Sequence, residues 1–306
     1  MKVLVTGATG FVGQEVLRRL HAAGHTARIL LRRPGSPDAQ ELARRFGVTV
    51  GAGNALEAAS LGAAMTGMDA VIHLVGIISE IGEQTFENVH TRATQNVVSA
   101  AVASGVRRMI HMSALGARAN AASRYHQTKW AAEECVQASG LDWTIFRPSL
   151  IYGPQDHFVN LFARMAKFSP VLPVMGPGTA RLQPVAVEDV AACLVKAMTE
   201  PRSVGQTLDL CGPERLTLPE ILQAILAATG RRRRIVRVPL GLARFPARLL
   251  EVVYPALLRR ASPLNRDQLI MLQEDNVGNP EPAARLFNLR AQKFSDGIRR
   301  NLGRAT

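Results

Sequence analysis

Tyr125 and Lys129 stand four residues apart in the run SRYHQTKWAAEECV. On a helix this spacing puts both side chains on one face. A free phenol titrates at about 10, too high for ready proton exchange at neutral pH. A neighbouring ammonium favours the phenolate and brings that value down, so the pair has the makings of a general acid–base. Ser113 precedes it at the end of an apolar run, RRMIHMSALG. Its hydroxyl is placed to polarise a substrate oxygen. Each of these residues is unremarkable alone, and together they need a scaffold that holds a second reactant against them.

That scaffold is written at the start of the chain. In MKVLVTGATGFVGQEVLRRL a short apolar run, Val3 to Val5, reads as a buried strand. Phe11, Val12, Val16, Leu17 and Leu20 follow at helical spacing. Between strand and helix lie Gly7, Gly10 and Gly13, with Thr9 in the turn. A strand that turns sharply into a helix aims the helix N-terminus, with its free N–H groups, at whatever lies above the strand, and favours a diphosphate there. Gly7 permits the turn, Gly10 has no Cβ to hold the diphosphate away, and Gly13 lets the helix lie close on the sheet. Gly7, Thr9, Gly10, Phe11, Val12 and Gly13 are therefore the expected dinucleotide cradle.

The second strand is expected over 27–31. Its C-terminal end meets the adenosine ribose in such a fold, where a carboxylate favours NAD. Here Arg32 and Arg33 follow instead, and a guanidinium holds a 2′-phosphate in bidentate fashion. The expected cofactor is NADP(H), with NAD(H) as the alternative. A helix to Phe46, a third strand over 48–51 and Asn54, whose amide suits an adenine edge, come next. The apolar run DAVIHLV predicts a fourth strand. His73 within it reads as a satisfied core histidine, and Leu74 and Gly76 at its end as close neighbours of the cofactor. A helix over 84–104, a fifth strand over 107–112 and a sixth over 141–147 complete a right-handed, doubly wound parallel sheet of the Rossmann type.

The remaining composition narrows the setting. Of 306 residues, 47% are hydrophobic and 20% charged, which supports a packed core. Cys135, Cys193 and Cys211 are far apart, with no metal-ligand spacing and no disulfide framework, so no metal is expected and the reading is cytoplasmic. The net charge of +13 is concentrated late: residues 231–306 hold 16 Lys and Arg against 6 Asp and Glu. No aromatic interleaving or recognition motif points to nucleic acid. In the second half Phe158, Leu161, Phe162, Met165, Leu172 and Met175 suggest either a greasy ligand or ordinary packing. The segment 170–178 reads as a Pro/Gly-rich loop, and Arg231–Arg234 as a solvated charged face. The stretch 240–260 is dense in leucine, valine and arginine but broken by Pro246 and Pro255. It is too charged to span a bilayer. It suits either a membrane interface, on the inner face, or a packed helix.

TGATGFVG (6–13), YHQTK (125–129) and FRPSLIYGP (146–154) resemble the extended and atypical short-chain dehydrogenase/reductases, a superfamily that includes nucleotide-sugar epimerases and dehydratases. HLVGII (73–78), SALGARANAASRY (113–125) and QLIMLQEDNV (268–277) are similar to the nucleotide-binding accessory subunit of respiratory complex I and its bacterial relatives. The resemblance implies a Rossmann domain over 1–154 with a return segment at about 184–211. It implies a smaller, mainly helical substrate domain over 155–183 and 212–306. It assigns the diphosphate to Gly7, Gly10 and Gly13, the 2′-phosphate to Arg32, the nicotinamide ribose to Lys129, acid–base work to Tyr125 and the nicotinamide pocket wall to Pro148 and Ser149. Arg181 and Gln183 fall where relatives contact substrate, and dimerisation through the Tyr–Lys helix is implied. Extended members usually follow the first hydroxyl of the fifth strand with another; here Ala114 follows Ser113. Three functions stay open. One is an NADPH-dependent oxidoreductase of a lipophilic carbonyl or quinone-like substrate. Another is a non-catalytic NADPH-binding accessory protein of a membrane respiratory or quinone-synthesis assembly. The third is a nucleotide-sugar epimerase or dehydratase.

Overall fold

The structure is a computed structural model that describes residues 1–242, 262 and 265–302. Val3, Leu4 and Val5 are fully buried in β1 (Lys2–Thr6), and alternate side chains serve opposite faces of the sheet. Val3 and Val5 join one core, Leu4 the other. A strand apolar on both faces belongs in the middle of a parallel sheet, and β1 lies there. It is followed by α1 (Phe11–Ala22), β2 (Thr26–Leu31), α2 (Pro37–Phe46), β3 (Thr49–Ala52), α3 (Ala58–Met65) and β4 (Ala70–His73). Six π-helical residues, Glu87–Arg92, run into α4 (Ala93–Ala103), so the single helix expected over 84–104 starts later and opens with a wider turn. Then come β5 (Arg108–Met112), α5 (Arg124–Gln137) and β6 (Asp142–Pro148).

Beyond β6 the chain makes β7 (Ile151–Tyr152), α6 (His157–Phe168), β8 (Val171–Met175), β9 (Arg181–Leu182), β10 (Val185–Ala186), α7 (Val187–Ala197) and β11 (Gln206–Leu210). The central sheet has seven strands in the order β11-β6-β5-β4-β1-β2-β3, all parallel. α1 and α7 cover one face through Val16, Leu20, Val190 and Leu194, and α3, α4 and α5 the other through Leu61, Met65, Val97 and Val136. From β1 the chain proceeds to β2 and β3 on one side and to β4, β5 and β6 on the other. The reversal falls at the carboxyl ends of β1 and β4, where sheets of this kind have their ligand crevice.

The chain ends with β12 (Leu216–Thr217), α8 (Leu218–Ala228), β13 (Arg234–Val238), α9 (Arg266–Met271), α10 (Glu281–Phe287) and α11 (Phe294–Leu302). A separate core gathers Tyr152, Leu172, Val174, Ile221, Leu222, Phe294 and Ile298. Two expectations are corrected here. The segment 170–178 is a loop only after residue 175: β8 pairs in parallel with β13, Val171 opposite Arg234, because Leu172 and Val174 alternate into this core. Arg231–Arg234 is also not purely a solvated face, since Arg234 opens a strand and the Arg233 guanidinium donates to the Ala166 carbonyl at 2.8 Å. Most of the stretch 240–260 lies outside the described residues. No helix among the described residues is long and apolar enough to cross a membrane.

Candidate active site

The turn after β1 is built as the glycine spacing requires. Gly7 has φ +74°, and a Cβ on it would sit 2.9 Å from the Leu74 carbonyl carbon, so β1 and the end of β4 approach backbone to backbone. A Cβ on Gly13 would sit 2.4 Å from the Gly7 oxygen and 2.7 Å from Ala8 Cα, which ties α1 down on the turn it leaves. α1 starts at Gly10 without a side-chain cap and without an acidic residue in its first turn. Its first N–H groups thus lack intrahelical partners and face the crevice. Thr9 and Gly10 are exposed at its mouth, Val12 is buried, and the Phe11 ring packs towards Gly153. This uncapped, acid-free cradle fits the diphosphate of a dinucleotide.

Arg32 and Arg33 follow β2 directly and both are exposed. The Asn54 amide is partly engaged in its own loop. Its Oδ1 accepts from Leu56 N at 3.1 Å and its Nδ2 donates to Glu57 at 3.2 Å. One N–H of that amide is left for a base edge. Leu74 is buried and extends the β1–β4 ladder, its N–H donating to Thr6 O at 3.1 Å. Gly76 is exposed just beyond, and a Cβ there would come within 3.3 Å of Lys129 Nζ.

Lys129 is the buried centre of the site, 3% exposed, with Nζ donating to Met112 O at 3.0 Å. Burial pushes its pKa down to about 8, against the pull of Glu133 one turn further along α5. Three buried histidines surround it. Thr94 Oγ1 donates to His90 O at 2.6 Å, so it accepts from His73 Nε2 at 3.1 Å, and His73 Nδ1 accepts from Thr6 Oγ1 at 2.6 Å. Thr128 Oγ1 donates to Arg124 O at 3.0 Å and accepts from His90 Nδ1 at 2.9 Å, leaving Nε2 to accept from Ile77 N at 3.1 Å. His111 stacks on His73 at 5.5 Å, and neither of its ring nitrogens has a partner among the described residues. Burial, with the Lys129 ammonium adding to it, holds His73 at about 3 and His90 at about 2, and drives His111 well below the usual range. All three are neutral, which spares Lys129 three like charges. His73 is the satisfied core histidine the sequence suggested. The roles of His90, His111 and Thr128 were not legible: the π-helical turn brings His90 under α5, and only the register of β4 on β5 sets His73 opposite His111.

The expected effect of Lys129 on Tyr125 is corrected. Tyr125 lies in an aromatic box, edge-on to His90 and His126 at 5.2 Å and to Phe86 at 5.9 Å. Burial pushes its phenol up to about 12, and no lowering from the ammonium offsets it. At neutral pH the phenol therefore keeps its proton. Ser113 is 3% exposed, and its hydroxyl has no partner among the described residues. Its backbone continues the β5–β6 ladder: Ser113 N donates to Phe146 O at 2.8 Å and Leu115 N to Pro148 O at 2.9 Å. An orphaned hydroxyl one residue beyond the carbonyl that holds Lys129 fits a ligand oxygen.

On the substrate side the apolar candidates mostly serve packing. Leu172 is fully buried, Phe158, Phe162 and Met165 pack on the same core, and Met175 packs with Leu269. Leu161 stays exposed. Gln183 bridges backbone, Nε2 donating to Gly212 O at 2.8 Å and Oε1 accepting from Gly278 N at 3.0 Å, while Arg181 is exposed.

Comparison with known proteins agrees with this geometry. Residues 7–201 match a family model described as NAD(P)H-binding. The chain is 30% identical over 93% of its length to the mitochondrial NADH dehydrogenase (ubiquinone) 1 alpha subcomplex subunit 9 of Arabidopsis thaliana, and spans 67% of that protein. It is 33% identical over 78% of its length to a ceramide reductase of Caulobacter vibrioides, of which it spans 73%. In fold it superposes on the NAD complex of UDP-glucose 4-epimerase from Thermus thermophilus with a TM-score of 0.76, at 22% identity and over 99% of this chain and 98% of that one. A glycine cradle at the strand-order reversal, a buried lysine at the end of β5 and these likenesses together make the chain a member of the NAD(P)H-binding, extended and atypical short-chain dehydrogenase/reductase family, to which the complex I accessory subunit also belongs.

Proposed function

We propose that the protein is an NADPH-preferring reductase of a lipophilic carbonyl or quinone-like compound. The carrying observation is the unpartnered, buried Ser113 hydroxyl on the residue that follows Met112, whose carbonyl holds Lys129. Gly7, Gly10 and Gly13 would hold the diphosphate and Lys129 the nicotinamide ribose, with Pro148 and Ser149 beside the ring. Arg32 and Arg33, with no carboxylate at the end of β2, favour the 2′-phosphate. When bound, the dinucleotide supplies hydride to the substrate carbon. Ser113 orients the substrate oxygen, and Tyr125 gives it a proton. A phenol held at about 12 keeps its proton until a stronger base develops, which suits reduction better than oxidation. That a relative is a ceramide reductase supports a lipophilic substrate.

Calorimetric titration with NADPH and NADH tests the cofactor half. NADPH is expected to bind more tightly, Arg32→Ala to remove the preference, and Tyr125→Phe to leave binding intact while abolishing NADPH oxidation with long-chain ketones or quinones. Failure of the protein to oxidise NADPH with any of a broad carbonyl and quinone panel rules out the reductase.

A second reading is an NADPH-binding accessory protein at an anionic membrane surface. It draws on Phe168, which is 81% exposed beside Lys167, and on Val171 and Arg234, exposed opposite each other across β8 and β13. The Arabidopsis relative is a respiratory-complex subunit. Flotation with phosphatidylglycerol vesicles tests it: protein left at the bottom of the gradient, with no co-purifying partner, refutes it.

A further inference from the structure

The run Gln273–Asn276 forms a strap in which each side chain ties down a different part of the cleft. Gln273 donates to Met175 O at 3.1 Å, Glu274 accepts from Arg118 Nη2 through both carboxylate oxygens at 3.0 and 2.9 Å, and Asp275 accepts from Arg181 N at 2.8 Å. Asn276 differs from the other three because it holds two loops at once. Its Nδ2 donates to Leu115 O at 2.8 Å, and its Oδ1 accepts from Ser149 Oγ at 2.6 Å. Its backbone is engaged too: its N–H donates to Arg181 O at 2.7 Å, and its C=O lies 2.9 Å from Ser149 Oγ, sharing with Oδ1 the one proton of that hydroxyl.

The two loops joined by this amide carry Ser113 and Pro148. Leu115 lies two residues past Ser113, and Ser149 directly follows Pro148. The β5–β6 ladder has by then run past the ends of both strands, its last rung being Leu115 N to Pro148 O at 2.9 Å. Nothing in the regular sheet holds the loops together beyond that rung, and Asn276 adds the next two bonds. We propose that Asn276 is a positioning residue for the nicotinamide end of the site, fixing the Ser113 loop against the Pro148 wall. This rests on the nucleotide reading above. The amide is required in this orientation: a carboxylate would still accept from Ser149 but would turn an oxygen lone pair towards the Leu115 carbonyl.

The test separates the two halves of the cofactor. NADPH reaches the Ser113–Pro148 region, whereas adenosine 2′,5′-bisphosphate occupies only the adenosine half near Arg32. Asn276→Asp and Asn276→Ala are each expected to weaken NADPH about tenfold and leave the bisphosphate within twofold of the unaltered protein. Arg118→Ala cuts another tie of the strap to the same loop without touching the Asn276 amide, and is expected to leave both affinities unchanged. Equal loss of both probes in the Asn276 variants, or no loss of NADPH, overturns the proposal. Failure of the unaltered protein to bind either probe overturns the nucleotide reading, and this inference with it.

Discussion

His73, His90 and His111 make the fold acid-sensitive in a way that can be calculated. Each is buried and neutral in the folded chain, with His73 at about 3 and His90 at about 2 and His111 well below the usual range. In the unfolded chain each titrates at about 6.5. A group whose folded pKa is depressed contributes stability above its unfolded pKa, and that contribution is lost as pH falls towards the folded value. The unfolded state therefore takes up protons below about 6.5 that the folded state refuses. At pH 5.5 each imidazole costs about 1 kcal/mol relative to pH 7.5, and the three together a few kcal/mol. That is a large share of a stability of about 5–15 kcal/mol. His111→Phe isolates one of them. It keeps the stack on His73, and no hydrogen bond among the described residues is lost because neither nitrogen makes one. Any packing cost of the larger ring is the same at both pH values and cancels in the difference. Urea unfolding at pH 7.5 and 5.5 should show the variant losing about 1 kcal/mol less than the parent over that interval. An unchanged loss would mean that His111 accepts a proton inside the fold, and the account of a neutral shell around Lys129 would be wrong.

Three further outcomes follow from the same structure. Burial holds Lys129 at about 8, so the folded chain bears the cost of its charge at neutral pH and recovers it as pH rises from about 8 to 10.5; Lys129→Met should stabilise the nucleotide-free protein by about 2 kcal/mol at pH 7 in urea melts, and flatten its stability over that alkaline range. Gly13→Ala places a methyl 2.4 Å from the Gly7 oxygen and should cost about 3 kcal/mol in unfolding experiments while weakening NADPH in titrations. Arg108 is 7% exposed and donates to Ala197 O, Thr144 and Ser203; Arg108→Met removes these charge-assisted bonds from a buried cluster and should lower stability by about 3 kcal/mol, read from the urea midpoint.

Local chemistry explains what could be read in advance. Val3–Val5 followed by three spaced glycines and a helical apolar pattern specifies strand, turn and helix within a few residues of one another, because the constraint is backbone geometry that only glycine meets. The successive strands and helices of the sheet are legible for the same reason, since burial on both faces demands continuous apolar runs. The misread segments depend on distant partners. Val171–Met175 looks like a loop until Arg234–Val238, far along the chain, pairs with it. The seventh strand, Gln206–Leu210, owes its place to the edge of β6.

The amino-acid sequence by itself determined the cradle and the Tyr125–Lys129 spacing, since both are set by residues within one turn or one loop. Only the tertiary structure decided their electrostatics. A pKa depends on how much water and charge the whole fold leaves around a group: burial in an aromatic box sends Tyr125 up rather than down, and the packing of β4, β5 and the π-helical turn around Lys129 brings its ammonium towards neutrality. The staple between the Ser113 and Pro148 loops is likewise tertiary, because the amide that makes it comes from residue 276, more than a hundred residues beyond either.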